Sequence, residues 1–191
     1  SNSLDEYLIE SLLSQGAQID SMGVGENLVT SKSSPVFGGV YKLSAVCRGE
    51  EIIPKIKVSE NIEKVTNPGN KTFFRIYDKE SGKIKADLIC LHDETFDTDQ
   101  DMKLFDPNEP WKKTTLPGGS YTMKEMLVPV ICQGKRVYDT PPVMEIQKIC
   151  NQEKETLWEE NKRFTNPSKI HVDLSQKLYD MKQSLLSEMS R

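Results

Sequence analysis

The sequence predicts an α+β fold in which a short β/α element leads into an antiparallel β-rich module and ends in helices. Three observations carry this. Residues 4–15 repeat leucine at helical spacing, directly before a short apolar run and a glycine pair. Residues 35–140 contain β-branched and aromatic runs separated by turn signals. Residues 141–191 return to helical periodicity after Pro141-Pro142. With 191 residues the chain can bury one ordinary core or two small ones. These shifts of texture divide it into 1–34, 35–140 and 141–191.

Leu4 to Gln15 reads as an amphipathic helix. Leu4, Leu8 and Leu12 recur every fourth residue, with Ile9 and Leu13 beside them, so one face must be covered by something else. Ser3 and Glu6 stand at capping-box spacing, and Gly16 suits the position just beyond the helix end. Ala17 to Met22 reads as a short strand entering Gly23-Val24-Gly25, the order expected of a β/α repeat. Gly38 to Arg48, Ile52 to Val58, Lys71 to Tyr77 and Lys83 to Leu91 read as strands. Residues 78–82 turn between the last two. Ser59 to Glu63 reads as a helical turn closed by Pro68-Gly69. Val128 to Cys132 and Arg136 to Tyr138 form a second hairpin through Gln133-Gly134-Lys135. His92 to Thr122 is polar, acidic and rich in proline and glycine, and reads as a long surface loop. Thr140 caps a helix expected to reach about Arg163. A further helix starts at Asp173, with Gln176 as capping partner and a seam of Leu174, Leu178, Met181 and Leu185.

Composition removes several function classes. A formal net charge of −4 argues against nucleic acid as a partner, because backbone binding needs a basic face. No apolar run approaches the roughly 20 residues that span a bilayer, and no signal-peptide pattern opens the chain; a cytoplasmic protein without membrane contact is expected. Cys47, Cys90, Cys132 and Cys150 include no CxxC pair, which disfavours a zinc knuckle or redox couple and predicts buried free thiols. Asp97, Asp99 and Asp101 have the opening spacing of a calcium loop. Met102 stands where glycine is required and Asn108 where glutamate closes the loop, so a solvated acidic loop is expected and no metal site. His92 and His171 lack any nucleophile or ligand pattern and read as structural. Ser3, Ser33 and Ser120 lack a nucleophile elbow, and no catalytic constellation is present.

The sharpest chemical feature is Gly23-Val24-Gly25 before a possible helical turn. Glycines there let the backbone approach an anion closely, and exposed amides at the positive end of a helix hold phosphate. On spacing alone, however, a tight turn is favoured. Lys42, in Gly38-Gly39-Val40-Tyr41-Lys42-Leu43, is an exposed strand lysine by default; Gly38-Gly39 would also let a phosphate approach.

Three stretches in order change these odds. They are Ser21-Met22-Gly23-Val24-Gly25-Glu26-Asn27-Leu28-Val29-Thr30-Ser31, Pro35-Val36-Phe37-Gly38-Gly39-Val40-Tyr41-Lys42-Leu43, and the run from Lys55 through Glu60-Asn61 to Pro68-Gly69. The succession resembles the C-terminal part of the nicotinate phosphoribosyltransferases, which are type II phosphoribosyltransferases. The opening Ser1-Asn2-Ser3-Leu4-Asp5-Glu6 and the late Asn166-Pro167 and Val172-Asp173-Leu174-Ser175 are also similar to family segments, so the likeness covers nearly the whole chain.

The resemblance implies the last β/α element of an irregular α/β barrel, a β-rich module and C-terminal helices. It implies an enzyme of NAD biosynthesis that joins nicotinate to 5-phosphoribosyl-1-pyrophosphate, giving nicotinate mononucleotide and pyrophosphate. ATP hydrolysis drives the reaction through a phosphohistidine, Mg2+ accompanies the pyrophosphate, and the enzyme is usually a homodimer. By the same resemblance Gly23, Val24 and Gly25 hold the ribose 5-phosphate, Ser1 and Asn2 border it, and Lys42 lies near its pocket. Glu26 stands where many members carry threonine. The phosphorylated histidine, the base-binding arginines and most barrel strands are expected upstream, so this chain alone is expected to be inactive and to bind neither Mg2+ nor ATP. Neither His92 nor His171 is expected to inherit the catalytic role. The rival expectation is a non-catalytic β module binding a phosphorylated ligand or a protein partner; an in-frame barrel upstream of Ser1 would exclude it.

Overall fold

A computed structural model describes residues 3–61 and 64–189, which fall into two compact units, 1–41 and 42–191. The architecture is mixed α and β, with predominantly antiparallel strand pairing.

In the first unit, helix α1 spans Glu6–Ser14. Its cap is Asp5, not the predicted Ser3: the Asp5 carboxylate accepts from the Leu8 amide at 2.8 Å, whereas Ser3 has a φ of 48°. Gly16 takes the expected left-handed conformation at φ 83°. Residues 17–22 form no strand, contrary to the sequence expectation, because no partner strand lies beside them among the described residues. A single helical turn, α2 (Glu26–Val29), follows the glycine pair. None of the described residues of this unit is buried, and Tyr7, Leu8 and Leu13 of α1 stay exposed.

In the second unit, strands β1 (Ala45–Arg48) and β2 (Glu51–Pro54) make a short antiparallel ribbon. Both are shorter than predicted, since ladder bonds stop where the partner stops. The Ser59–Glu63 turn lies partly outside the described residues. Strands β3 (Lys71–Asp78) and β4 (Ile84–Leu91) form the predicted hairpin. At its turn the Asp78 carboxylate accepts from the amide and hydroxyl of Ser81, both at 2.8 Å, and pairs with Lys85 at 3.0 Å. These contacts hold its pKa well below the usual carboxylate range. Along β4, Ile84, Ala86, Leu88 and Cys90 alternate inward with period two.

The largest departure is residues 92–122. Instead of a surface loop, they contain β5 (Met102–Phe105) paired with β6 (Lys113–Leu116), followed by β7 (Tyr121–Glu125) on the edge of the main sheet. Met102, Leu104, Leu116 and Tyr121 close the core over Ile76, Ala86 and Leu88. The Tyr121 hydroxyl donates to the Gln100 carbonyl at 2.9 Å, so even the acidic tip is tied down. The apolar residues that do this are few and widely spaced, and the surrounding polarity hides them.

Strands β8 (Ile131–Cys132) and β9 (Lys135–Arg136) form the second hairpin around Gln133-Gly134, both at positive φ as the favoured two-residue turn requires. Helix α3 (Val143–Glu155) starts later than expected, with Pro142 and not Thr140 at its N-cap and no side-chain cap bond. The reason is that both prolines precede the helix instead of entering its first turn; it also stops short of Arg163. The Trp158 indole N–H donates to the Ile84 carbonyl at 2.7 Å, and Lys83 Nζ donates to the Glu155 and Leu157 carbonyls, so the chain end of α3 is pinned to β4. A separate turn, α4 (Glu159–Lys162), follows.

Asp173 does not open a helix. His171–Leu174 is strand β10, running parallel to β4, and the sheet order is β10-β4-β3-β7. The cap moves to Ser175, whose Oγ accepts from the Leu178 amide at 3.2 Å and donates to Glu94 at 2.6 Å. Gln176 begins α5 (Gln176–Met189) and donates to Asp180 instead of completing a capping box. From the predicted seam, Leu174 and Leu178 are buried against Leu91, with Met181 packed beside them.

The cysteine expectation holds at one position only. Cys90 is buried, and that burial pushes its thiol pKa up to about 12; Cys47, Cys132 and Cys150 are exposed. Native protein treated with iodoacetamide is therefore expected to alkylate Cys47, Cys132 and Cys150 but not Cys90, which reacts only after denaturation. Peptide mass mapping checks this, and rapid native labelling of Cys90 would contradict its burial.

Candidate phosphate-binding site

The glycine loop sits between α1 and α2 in the first unit. Gly25 is the residue before the α2 turn, and its carbonyl accepts from the amides of Leu28 and Val29 at 3.1 and 3.0 Å. The turn is closed by Thr30, whose amide and hydroxyl both donate to the Glu26 carbonyl, at 2.9 and 2.7 Å. Asn27 anchors the other side: its Nδ2 donates to the carbonyls of Ser3 and Leu4, tying the loop to the approach of α1.

This leaves a row of unused donors. The amides of Gly23, Val24, Gly25, Glu26 and Asn27 donate to no group among the described residues. Gly23 and Gly25 are exposed and Val24 is half-buried. The Gly25 φ is −110°, so no positive φ requires glycine there, and a Cβ at Gly25 would have nothing within 4 Å. What the glycine leaves is open space beside the amides. An anion placed there would meet several N–H groups and the positive end of the turn.

Lys42 belongs to the second unit, is exposed, and its Nζ donates to the Lys64 carbonyl. Ser1 and Asn2 lie outside the described residues. His92 follows β4, with its amide donating to the Asn70 carbonyl at 3.0 Å, and His171 opens β10. In the acidic stretch, Asp97 accepts from the Asp99 amide and closes a turn, while Asp101 accepts from the Gly118 amide and ties two segments together. Among the described residues no three His, Cys, Asp or Glu side chains converge as metal ligands. Sequence reasoning misses one concave feature. Asp173, with Trp111 and Trp158, lines a cavity of about 780 Å3 in the second unit. The available signal is the strand-like alternation of Ile170, Val172 and Leu174 around it.

The family model described as nicotinate phosphoribosyltransferase C-terminal domain matches residues 70–182, more than half of the chain. The chain belongs to the nicotinate phosphoribosyltransferase family. Among curated relatives, the nicotinate phosphoribosyltransferase of Bacillus subtilis (strain 168) is 33% identical over 189 residues, covering 99% of this chain and 38% of that protein. The Caenorhabditis elegans enzyme of the same name is 32% identical over 187 residues, covering 97% and 32% respectively. The chain thus spans only about a third of the length of these family members. A crystal structure of human nicotinic acid phosphoribosyltransferase shares the fold with a TM-score of 0.71 at 23% identity, over 97% of this chain and 32% of that one. No helix among the described residues is long and apolar enough to cross a membrane.

Proposed function

We propose that this chain is the C-terminal part of a nicotinate phosphoribosyltransferase that forms nicotinate mononucleotide and pyrophosphate from nicotinate and 5-phosphoribosyl-1-pyrophosphate, coupled to ATP hydrolysis. In this reading the chain supplies the end of an irregular α/β barrel, and Gly23, Val24 and Gly25, extended by the amides of Glu26 and Asn27, hold the ribose 5-phosphate. The full enzyme works in the cytoplasm as a homodimer. The observation that supports the phosphate role is the run of unused amides at the start of α2. Backbone donors suit this task because they are fixed before the ligand arrives, so little ordering is needed on binding. The family resemblance supports substrate-binding roles for Ser1, Asn2 and Lys42.

Magnesium usually binds through one or two carboxylates together with substrate phosphates. The described residues offer no convergent set of three ligands, so no step is assigned to a metal held by this chain. In this reading the phosphoryl acceptor and the arginines that bind the pyrophosphate lie outside this chain. The 191-residue chain given nicotinate, 5-phosphoribosyl-1-pyrophosphate, Mg2+ and ATP should therefore form no nicotinate mononucleotide, whereas the full-length enzyme should. Chromatographic detection of the product decides it. Turnover by the pure 191-residue chain that disappears on His92→Ala or His171→Ala would overturn the division of roles.

A further inference from the structure

The cavity of about 780 Å3 in the second unit lies where four pieces of chain meet. Its floor is Ile84 and Ala86 of β4 with Asp173 of β10. One wall is the β5–β6 ribbon, with Trp111, Lys112 and Lys113, and the other is Trp158 with the segment Ser168 to Ile170. Its size falls in the usual range for small-molecule pockets. Three features need an explanation beyond folding. The Asp173 side chain belongs to a residue only 5% exposed, yet its carboxylate accepts no hydrogen bond among the described residues. Burial pushes its pKa up, with His171 working against that shift. Its oxygens are not among the buried polar atoms that lack a partner, so they face the cavity and are open to a donor from a ligand.

Second, both tryptophans of the chain line this one cavity. Trp158 is locked by its bond to the Ile84 carbonyl and by its own amide donating to Asn161 Oδ1 at 3.2 Å, whereas Trp111 stands 73% exposed at the mouth. Large exposed indoles offer stacking faces to a flat ligand. Third, Lys113 and Lys169 line the cavity, are exposed, and have no hydrogen-bond or ion-pair partner among the described residues, so cationic groups stand free at the rim.

We propose that this cavity binds a flat nitrogen heterocycle that presents paired N–H donors to Asp173 and carries an anionic group toward Lys113 and Lys169, with the tryptophans as stacking faces. A guanine-type nucleotide has this chemistry, because its ring N–H and exocyclic amine lie side by side and match the two oxygens of a carboxylate. An adenine-type base presents an acceptor at the corresponding ring position and matches poorly. The proposal does not depend on the phosphate role of the glycine loop.

Because no tryptophan lies elsewhere, the intrinsic fluorescence of the 191-residue chain reports on this cavity. Titration with guanosine monophosphate should quench it saturably. Adenosine monophosphate should bind about tenfold or more weakly, and inorganic phosphate alone should leave the signal unchanged. Asp173→Asn should weaken guanosine monophosphate about tenfold and improve xanthosine monophosphate relative to it, since the amide can donate to the xanthine carbonyl. Trp111→Ala, at an exposed position, should weaken binding about tenfold with the fold unchanged by circular dichroism, and it carries the test if Asp173→Asn does not fold. No saturable response to guanosine monophosphate overturns the proposal. So do equal responses to all three probes, or affinity untouched by both substitutions.

Discussion

Gly25→Val in the full-length enzyme is expected to weaken 5-phosphoribosyl-1-pyrophosphate and nicotinate mononucleotide binding by about tenfold or more for each amide hydrogen bond broken, at roughly 1.5–3 kcal/mol per charge-assisted bond. The cause is steric and acts on the ligand. The Gly25 φ is −110°, and no described atom lies within 4 Å of a Cβ built there, so the new side chain fills only the space that a phosphate would need. Free nicotinate carries no phosphate and should bind nearly as before. Glu26→Gln should be milder than Gly25→Val, because the backbone does the holding; removing a negative charge beside an anion even acts in the opposite direction. Calorimetric titration of each ligand, with circular dichroism as the fold control, decides the matter. If free nicotinate weakened as much as the phosphorylated ligands, or if nothing changed, Gly25 would be a turn residue and the phosphate would sit elsewhere.

The part of this site that the sequence reveals is the part made by short-range chemistry. Two glycines, a helical turn and its closing Thr30 lie within a few residues of each other, so spacing alone locates the loop. What spacing cannot give is the anchor: Asn27 reaches back to the carbonyls of Ser3 and Leu4, and nothing in the pattern of either segment announces that pairing. The strand expected at 17–22 fails for a related reason. A β-like run becomes a strand only when a partner supplies its ladder bonds, and none does so among the described residues. The apolar face of α1 is legible as a surface needing cover, and Leu8 and Leu13 remain exposed in the described unit.

The same logic governs the second unit. Strands β3 and β4 are legible because the period of two and the turn at 78–82 agree with each other. Strand β10 is not, because its four residues run straight into a genuine helix, and helical spacing from Leu178 onward extends backward through Leu174 by coincidence. Parallel pairing with β4, a partner far earlier in the chain, decides the conformation. Asp173 is consequently turned inward rather than capping, which is why a helical reading of this stretch misses the cavity it lines.

Gly118→Ala is expected to destabilise the protein by about 3 kcal/mol, the upper end of overpacking costs, and so to test the largest departure from the sequence reading. The stretch that reads as a polar surface loop crosses itself at this glycine: an added Cβ would lie 2.2 Å from the Asp99 carbonyl oxygen and 2.6 Å from its carbon. Both are backbone atoms and cannot rotate away. The Gly118 amide also donates to the Asp101 carboxylate at 2.9 Å, and the Gly119 amide to the Thr98 carbonyl at 2.7 Å, so separating the two segments sacrifices hydrogen bonds as well. Gly119→Ala is the matched control. Gly119 has a φ of 75°, but a Cβ there meets nothing within 4 Å, so it incurs only the left-handed penalty of about 1 kcal/mol. Urea unfolding of both variants should rank Gly118→Ala clearly below Gly119→Ala. A surface loop without the β5–β6 ribbon predicts that both changes are small, and equal midpoints would return residues 92–122 to that description.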